Sequence, residues 1–362
     1  ANKPPLEWGN KLYTVRFPRS QPITHSALPK DGVFRPPYGW RYHYQLEEAV
    51  DVPEYVVPWE GFRALAEVSP AGIFRTDRSG ACIYANQRFT ALTGLVCAGK
   101  PMNPFLAGVA ILCIAIGAGA SGALNMWYDA DIDQLMKRTS TRPIPAGRVL
   151  PREALAFGVA LSVGSVVFLG LMVNVLAAAL LAFTIFFYAV IYTMWLKPTT
   201  PQNIVIGGAA GAFPPMIGWA VATGGIGFES VLLFLIIFIW TPPHFWALSL
   251  RIRRDYAAAG VPMLPVVRGI PETSRQILLY TILMVAISFV LWAVARMGAI
   301  YLVAAAVLGA IFLYRAWVLW RQGDSPEEST AEAIRLYRFS ISYLTLLFVA
   351  VALDAIVLVP LG

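Results

Sequence analysis

Eight apolar runs, each about twenty residues long, leave this chain few ways to fold. They lie near 104–127, 152–173, 175–196, 204–223, 230–250, 275–295, 298–320 and 338–360, with short connections between them. Runs of that length cross the hydrocarbon of a bilayer as helices, because a helix satisfies its own backbone N–H and C=O groups where there is no water to do so. Composition agrees with that reading. Of 362 residues 57% are hydrophobic and 14% charged, and the mean hydropathy is +0.62, which speaks against a soluble enzyme. The expected fold class is all-α, a polytopic membrane helical bundle of eight spans, with a small irregular or α+β amino-terminal extension. Small residues recur inside the spans, as in Gly117-Ala-Gly-Ala-Ser-Gly122 and Gly207-Gly-Ala-Ala-Gly211, and permit close helix approach in lipid.

The net charge of +7 says little until its distribution is known. Fifteen Lys and Arg residues, from Lys137 to Arg338, fall in the loops and flanks after the first, third, fifth and seventh spans, whereas the intervening loops hold only Arg296. That asymmetry places the charged loops in the cytoplasm, or in the matrix of an organelle. It is a topology signal, and no nucleic-acid partner is expected. Cys82, Cys97 and Cys113 show no metal-ligand spacing and read as ordinary thiols. No amino-terminal signal peptide is visible in the first hundred residues.

Three regions are expected. Residues 1–58 are rich in Pro and aromatic residues without a steady period, so an extended or loosely ordered segment of unknown role is expected. Residues 59–100 read as a short helix from Phe62, a hairpin around Arg78-Ser-Gly80, and a helix from Gln87 capped by Gly94. Residues 101–362 form the membrane domain.

The chemistry gathers at the ends of two spans. Asn125, Asp129 and Asp133 recur every fourth residue, so each step turns the helix by only ~40° and the three form one polar stripe. Asp131 lies ~200° from Asp129 and points away, as a solvated end residue. Oxygen ligands at the wet end of a membrane helix suit Mg²⁺, which shares its coordination between one or two carboxylates, water and substrate phosphates. Lys137, Arg138, Arg142 and Arg148 come directly after, and cations beside a metal site suit phosphate oxygens. Acids at membrane depth are costly, which favours a functional reading. In the fifth span, Pro242 and Pro243 are expected to break the helix just before His244. His244, Arg251 and Asp255 are spaced seven and four apart, which places them on one helical face and makes Asp255 a candidate second acid. A lone membrane His is also commonly satisfied by a bond between helices. Lys197 closes the third span on the same side as both clusters, either as a snorkelling interface residue or as a phosphate contact.

Together these runs resemble a known family. Asn125-x3-Asp129-x3-Asp133 with Lys137-Arg138-Thr-x-Thr-Arg142-Pro, then Tyr192-Thr-x2-Leu-Lys197, then Pro242-Pro-His244-Phe with Asp255-Tyr-x3-Gly260-Val-Pro-Met-Leu-Pro-Val-Val, are similar to the UbiA-type intramembrane prenyltransferases. The match is to their haem-farnesylating branch, from about Met102 onward. The resemblance implies a bundle of nine spans around a lipid-open cavity, in which Asn125, Asp129, Asp133 and Asp255 hold Mg²⁺, and Asp129, Asp133 and Asp255 are the catalytic acids. Lys137, Arg138, Arg142 and Lys197 would bind the diphosphate. Asp255 lacks the usual partner carboxylate four residues away, since Arg251 and Ala259 stand there. His244 and Arg251 are the candidates for contact with haem.

The implied reaction is Mg-dependent transfer of farnesyl from farnesyl diphosphate to a vinyl group of haem b, a step toward haem A, with haem b as substrate and not prosthetic group. Trp127, Tyr128, Tyr188, Tyr192, Phe245 and Trp246 are candidate shields for an allylic cation. The lipid bilayer is the setting, a bacterial inner membrane in preference to a mitochondrial one, and haem A synthase or oxidase assembly factors are candidate partners. The family's first span, with its Lys-Pro-Arg motif, has no counterpart among the eight. In its place residues 59–95, with Asp77, Gly80 and Asn86, resemble the truncated opening of a PAS domain. The competing readings are a prenyltransferase for a quinone or chlorophyll precursor, a membrane transporter, and a PAS-gated sensor.

Overall fold

The computed structural model describes residues 6–8, 11–13, 74–76, 82–85, 87–136, 139–322 and 326–357. The chain divides into two units, Ala1–Gly61 and Phe62–Gly362. In the first, β1 (Leu6–Trp8) pairs antiparallel with β2 (Lys11–Tyr13), Leu6 opposite Tyr13. No strand is expected here from the sequence, because three residues are too few to show an alternation. The Gly9-Asn10 pair between the strands is the available hairpin signal.

The second unit opens with the expected hairpin, β3 (Phe74–Thr76) antiparallel to β4 (Cys82–Ala85), with an irregular register at Arg75 and Thr76. The helix expected from Phe62 lies outside the described residues. Helix α1 (Gln87–Cys97) runs past Gly94, so that glycine is not its cap. A Cβ on Gly94 would stand 2.0 Å from the carbonyl oxygen of Pro215, and one on Gly218 would stand 2.0 Å from that of Ala91. Reciprocal glycines therefore bring α1 and the helix carrying Pro215 backbone to backbone, as small residues do in lipid.

Among the described residues, eight helices are long and apolar enough to cross a membrane. They are α2 (Pro104–Tyr128), α4 (Pro151–Met172), α5 (Val175–Phe186) with its π-helical continuation Phe187–Leu196, α7 (Asn203–Thr223), α8 (Phe228–Arg251), α11 (Gly269–Val294), α12 (Ala299–Arg321) and α13 (Pro326–Val357). Short helices complete the connections: α3 (Ala130–Leu135), α6 (Lys197–Thr199), α9 (Arg253–Ala258) and α10 (Leu264–Val267). Local signals start several spans. Asn103 accepts from Phe105 N at 2.9 Å ahead of Pro104, and Asn174 accepts from Ala177 N at 2.8 Å. The Asn174 amide also donates to Ala220 O at 3.0 Å, tying the start of α5 to the end of α7. Helices α11 and α13 begin six and twelve residues earlier than hydropathy alone suggests, because their first turns are polar.

The apolar interior has two centres. One joins α1, α2, α5 and α7 around Ala91, Ile114, Leu181 and Ile217. The other joins α8, α11, α12 and α13 around Trp246, Tyr301, Phe312, Tyr343 and Phe348. The expected break at Pro242 and Pro243 does not occur, and α8 runs unbroken from Phe228 to Arg251. The two prolines deprive the carbonyls of Phe238 and Ile239 of their helical donors, yet α7, α11 and α13 pack on α8 along its length and the helix continues. Helix α7 carries Pro214 and Pro215 in the same way.

Candidate active site

The stripe at the end of α2 forms as the spacing requires. Asp129 N bonds to Asn125 O at 2.9 Å and Asp133 N to Asp129 O at 2.8 Å, so the i to i−4 ladder continues through the slight bend between α2 and α3. Asn125, Asp129 and Asp133 are all buried, Asp129 at 0% and Asp133 at 2% exposure, while Asp131 faces solvent.

Each buried carboxylate of the stripe has a cation. Arg142 reaches Asp133 with one nitrogen at 3.0 and 2.8 Å from its two oxygens. Lys197 Nζ donates to Asp129 Oδ2, and the Asn125 amide donates to the same oxygen at 2.6 Å. Asp129 Oδ1 is buried and has no hydrogen-bond partner. An unpaired buried carboxylate oxygen is costly, and it is the place where a divalent cation would be accepted. Burial pushes the Asp129 carboxyl above the usual carboxylate range, against the pull of Lys197 in the other direction.

The π-helical segment Phe187–Leu196 sets the lysine. Thr193 Oγ1 donates to Tyr188 O at 2.8 Å, five residues back, and accepts from the Asn125 amide at 3.2 Å. The N–H of Lys197 likewise bonds five residues back, to Tyr192 O. π-Helical turns are uncommon and occur often at functional sites. Tyr192 lies against Gly207, where a Cβ would come within 2.1 Å of its ring, and Tyr188 tilts against Tyr192 at 5.4 Å. Asn203, at the start of α7, is fully buried, its Oδ1 has no partner, and its amide reaches Lys197 O at 3.5 Å. Thr193 and Asn203 escape a reading of the sequence, where neither belongs to a charged or periodic pattern.

The second cluster is arranged differently from its spacing. Helix α8 ends at Arg251, Ile252 breaks it, and α9 begins anew at Arg253. The single face expected for His244, Arg251 and Asp255 is therefore interrupted before Asp255. Among the described residues no three or more His, Cys, Asp or Glu side chains group closely enough to hold a metal, so Asp255 does not join Asp129 and Asp133 in one ligand set. The fit to Mg²⁺ rests on the two carboxylates of the stripe and the Asn125 amide, leaving coordination for water and phosphate. His244 is buried in the seam between α8 and α13. Its Nδ1 lies 2.6 Å from Ser340 Oγ, and its ring stacks on Trp240 at 4.2 Å and Tyr337 at 4.7 Å. Of the aromatic shield candidates, Trp246 is 1% exposed and packs on Tyr280 in the core, whereas Tyr128 is 42% exposed. Lys137 and Arg138 lie outside the described residues. Arg148 donates to Thr141 O at 2.6 Å within the loop.

A bundle of apolar helices with an acid-and-cation cluster at one end defines an intramembrane prenyltransferase, and the chain belongs to the UbiA prenyltransferase family, whose profile matches residues 88–355. Within the family it groups with the protoheme IX farnesyltransferases. The protein of that name from Brucella anthropi is 60% identical over 270 residues, covering 75% of this chain and 86% of the relative, and that from Rhizobium rhizogenes is 60% identical over 273 residues, covering 75% and 85%. The fold is shared with a structure of digeranylgeranylglyceryl phosphate synthase, at TM-score 0.62 and 18% identity over 75% of this chain and 93% of the other. It is shared also with a UbiA homologue from Aeropyrum pernix K1, at TM-score 0.52 and 20% identity over 75% and 96%. The family match starts inside α1, ahead of the motif-based limit at Met102, so this helix belongs to the stretch that the family profile covers. Residues 1–73 match a different profile, an mRNA (guanine-N(7))-methyltransferase domain.

Proposed function

We propose that the protein transfers the farnesyl group of farnesyl diphosphate to a vinyl group of haem b, in a Mg²⁺-dependent step toward haem A. The observation that carries this reading is Asp129: fully buried, anchored by Asn125 and Lys197, and left with one carboxylate oxygen free. Its relatives' name supplies the acceptor class and the isoprenoid.

Asn125, Asp129 and Asp133 would hold the metal, and Asp255, which stands outside that ligand set, would be the acid of the second motif. A bound Mg²⁺ would neutralise charge developing on the leaving diphosphate. Lys197 and Arg142, both partly buried, would exchange their carboxylate partners for diphosphate oxygens and stabilise the departing group, joined by Lys137 and Arg138. The C–O bond of the allylic carbon breaks with its electron pair leaving on diphosphate. The carbon bonds to the terminal vinyl carbon of haem, and water adds to the cation so formed and releases a proton. Tyr188 and Tyr192 line this end and favour a passing cation over water. His244 and Arg251, on the α8–α13 side, are assigned to the porphyrin. The site faces the cytoplasm of a bacterial inner membrane, consistent with the Lys and Arg asymmetry.

The test is incubation of purified protein with haem b, farnesyl diphosphate and Mg²⁺, followed by mass analysis of the porphyrin. A hydroxyethylfarnesyl adduct is expected. Prenylation of 4-hydroxybenzoate in place of haem would reassign the acceptor.

A further inference from the structure

We infer that a second anion site lies where the carboxyl end of α8 meets the amino end of α13, and that it takes the propionate carboxylates of the porphyrin acceptor. This rests on the haem reading above. A cavity of about 530 Å³ opens there, lined by Leu250, Arg251, Arg253, Arg254, Thr330 and Ile334. Three of the lining residues are arginines, and among the described residues none of them has an ion pair. The adjacent acid on α13, Glu332, is already held by Arg315 at 3.3 Å and Arg335 at 3.1 Å, so it does not neutralise them.

Three arginines without an ion-pair partner among the described residues, at the wet end of a helix bundle, attract an anion, and the guanidinium fork matches carboxylate geometry. Leu250 and Ile334 add an apolar floor. The same seam continues into the bundle as a stack of flat rings, Trp240, His244 and Tyr337. His244 is seven residues from Arg251, ~10 Å along the axis, a span comparable to a porphyrin ring. Propionates occupy one edge of haem b and vinyl groups the opposite edge. Anchoring the acid edge at this mouth holds haem at the same wet end of the bundle as Asp129 and Lys197, with the vinyl edge turned away from the arginines. Two carboxylates also suit a mouth of three cations better than the single phosphate of a phospholipid headgroup.

The experiment titrates the full chain in detergent with haem b and with its dimethyl ester, following the Soret band, for wild type and an Arg253→Gln/Arg254→Gln variant. Wild type is expected to bind the free acid at least tenfold more tightly than the ester. The variant is expected to lose that preference while binding farnesyl diphosphate as wild type does, which shows it folded. A variant that keeps the preference overturns the inference. In a third arm, nanodiscs of phosphatidylglycerol and phosphatidylcholine are compared; loss of phosphatidylglycerol retention with the porphyrin preference intact would make this a lipid site and overturn it as well. Equal wild-type affinity for acid and ester removes the propionate site alone, whereas binding of neither removes the haem reading too.

Discussion

Asp129 is held by two side chains, Asn125 and Lys197. Asp129→Ala deletes the metal-facing oxygen, and the lost charge stabilisation of a few kcal/mol corresponds to a fall in turnover of about a hundredfold or more; steady-state assay of porphyrin product checks it, with detergent melting to confirm folding. Lys197→Met has two opposite effects. Affinity for diphosphate falls, but Mn²⁺ alone binds more tightly than to wild type, because the ammonium that occupies Asp129 Oδ2 and repels a divalent ion is gone. Electron paramagnetic titration without diphosphate reads that sign directly. The variant also leaves a buried carboxylate unpaired, at a cost of about 3–5 kcal/mol, so added Mg²⁺ should raise its melting temperature more than that of wild type. The carboxylate stripe was legible because its residues are four apart. Its pairing was not: Lys197 lies 68 residues from Asp129, and only the folded bundle brings them together. Asn203 gave no signal at all, since a single buried amide at the start of a helix has no pattern.

At the level of elements, two contacts carry more than their sequence suggests. Asp354, buried on α13, accepts from Gly298 N and Tyr301 N and so caps the start of α12 from outside that helix. Asp354→Ala leaves these donors without a partner and is expected to destabilise the protein by about 1–3 kcal/mol, read as a lowered melting temperature with an unchanged diphosphate affinity. Gly94→Ala places a methyl against Pro215 backbone, which cannot swing aside as a side chain would. It should separate α1 from α7 and destabilise by about 1–3 kcal/mol. The spans themselves were readable from hydropathy, and six of eight limits fall within a few residues. The continuation of α8 through two prolines was not, because neighbouring helices, absent from any local rule, decide it. The same holds for the division of α8 from α9, which moved Asp255 off the face its spacing predicted.

For the whole molecule, the charge asymmetry makes a topological claim. Single cysteines at Arg148 and Gly225, in a background lacking Cys82, Cys97 and Cys113, should label with an impermeant thiol reagent from opposite sides of the membrane, Arg148 from the cytoplasm. Labelling of both from one side would contradict the arrangement of spans. Residues 1–61 form a compact unit of their own, and the family match begins only at residue 88. Deleting residues 1–61 is therefore expected to leave the melting temperature of the membrane domain unchanged.

The π-helical stretch before Lys197 makes the site depend on chain length as much as on residue type. Every residue dropped from 187–196 would rotate the downstream chain by roughly 100° about the axis, carrying the ammonium away from Asp129 without altering a single side chain. A one-residue deletion there should thus be more damaging than most conservative replacements, and a compensating insertion within the same ten positions should restore the phase.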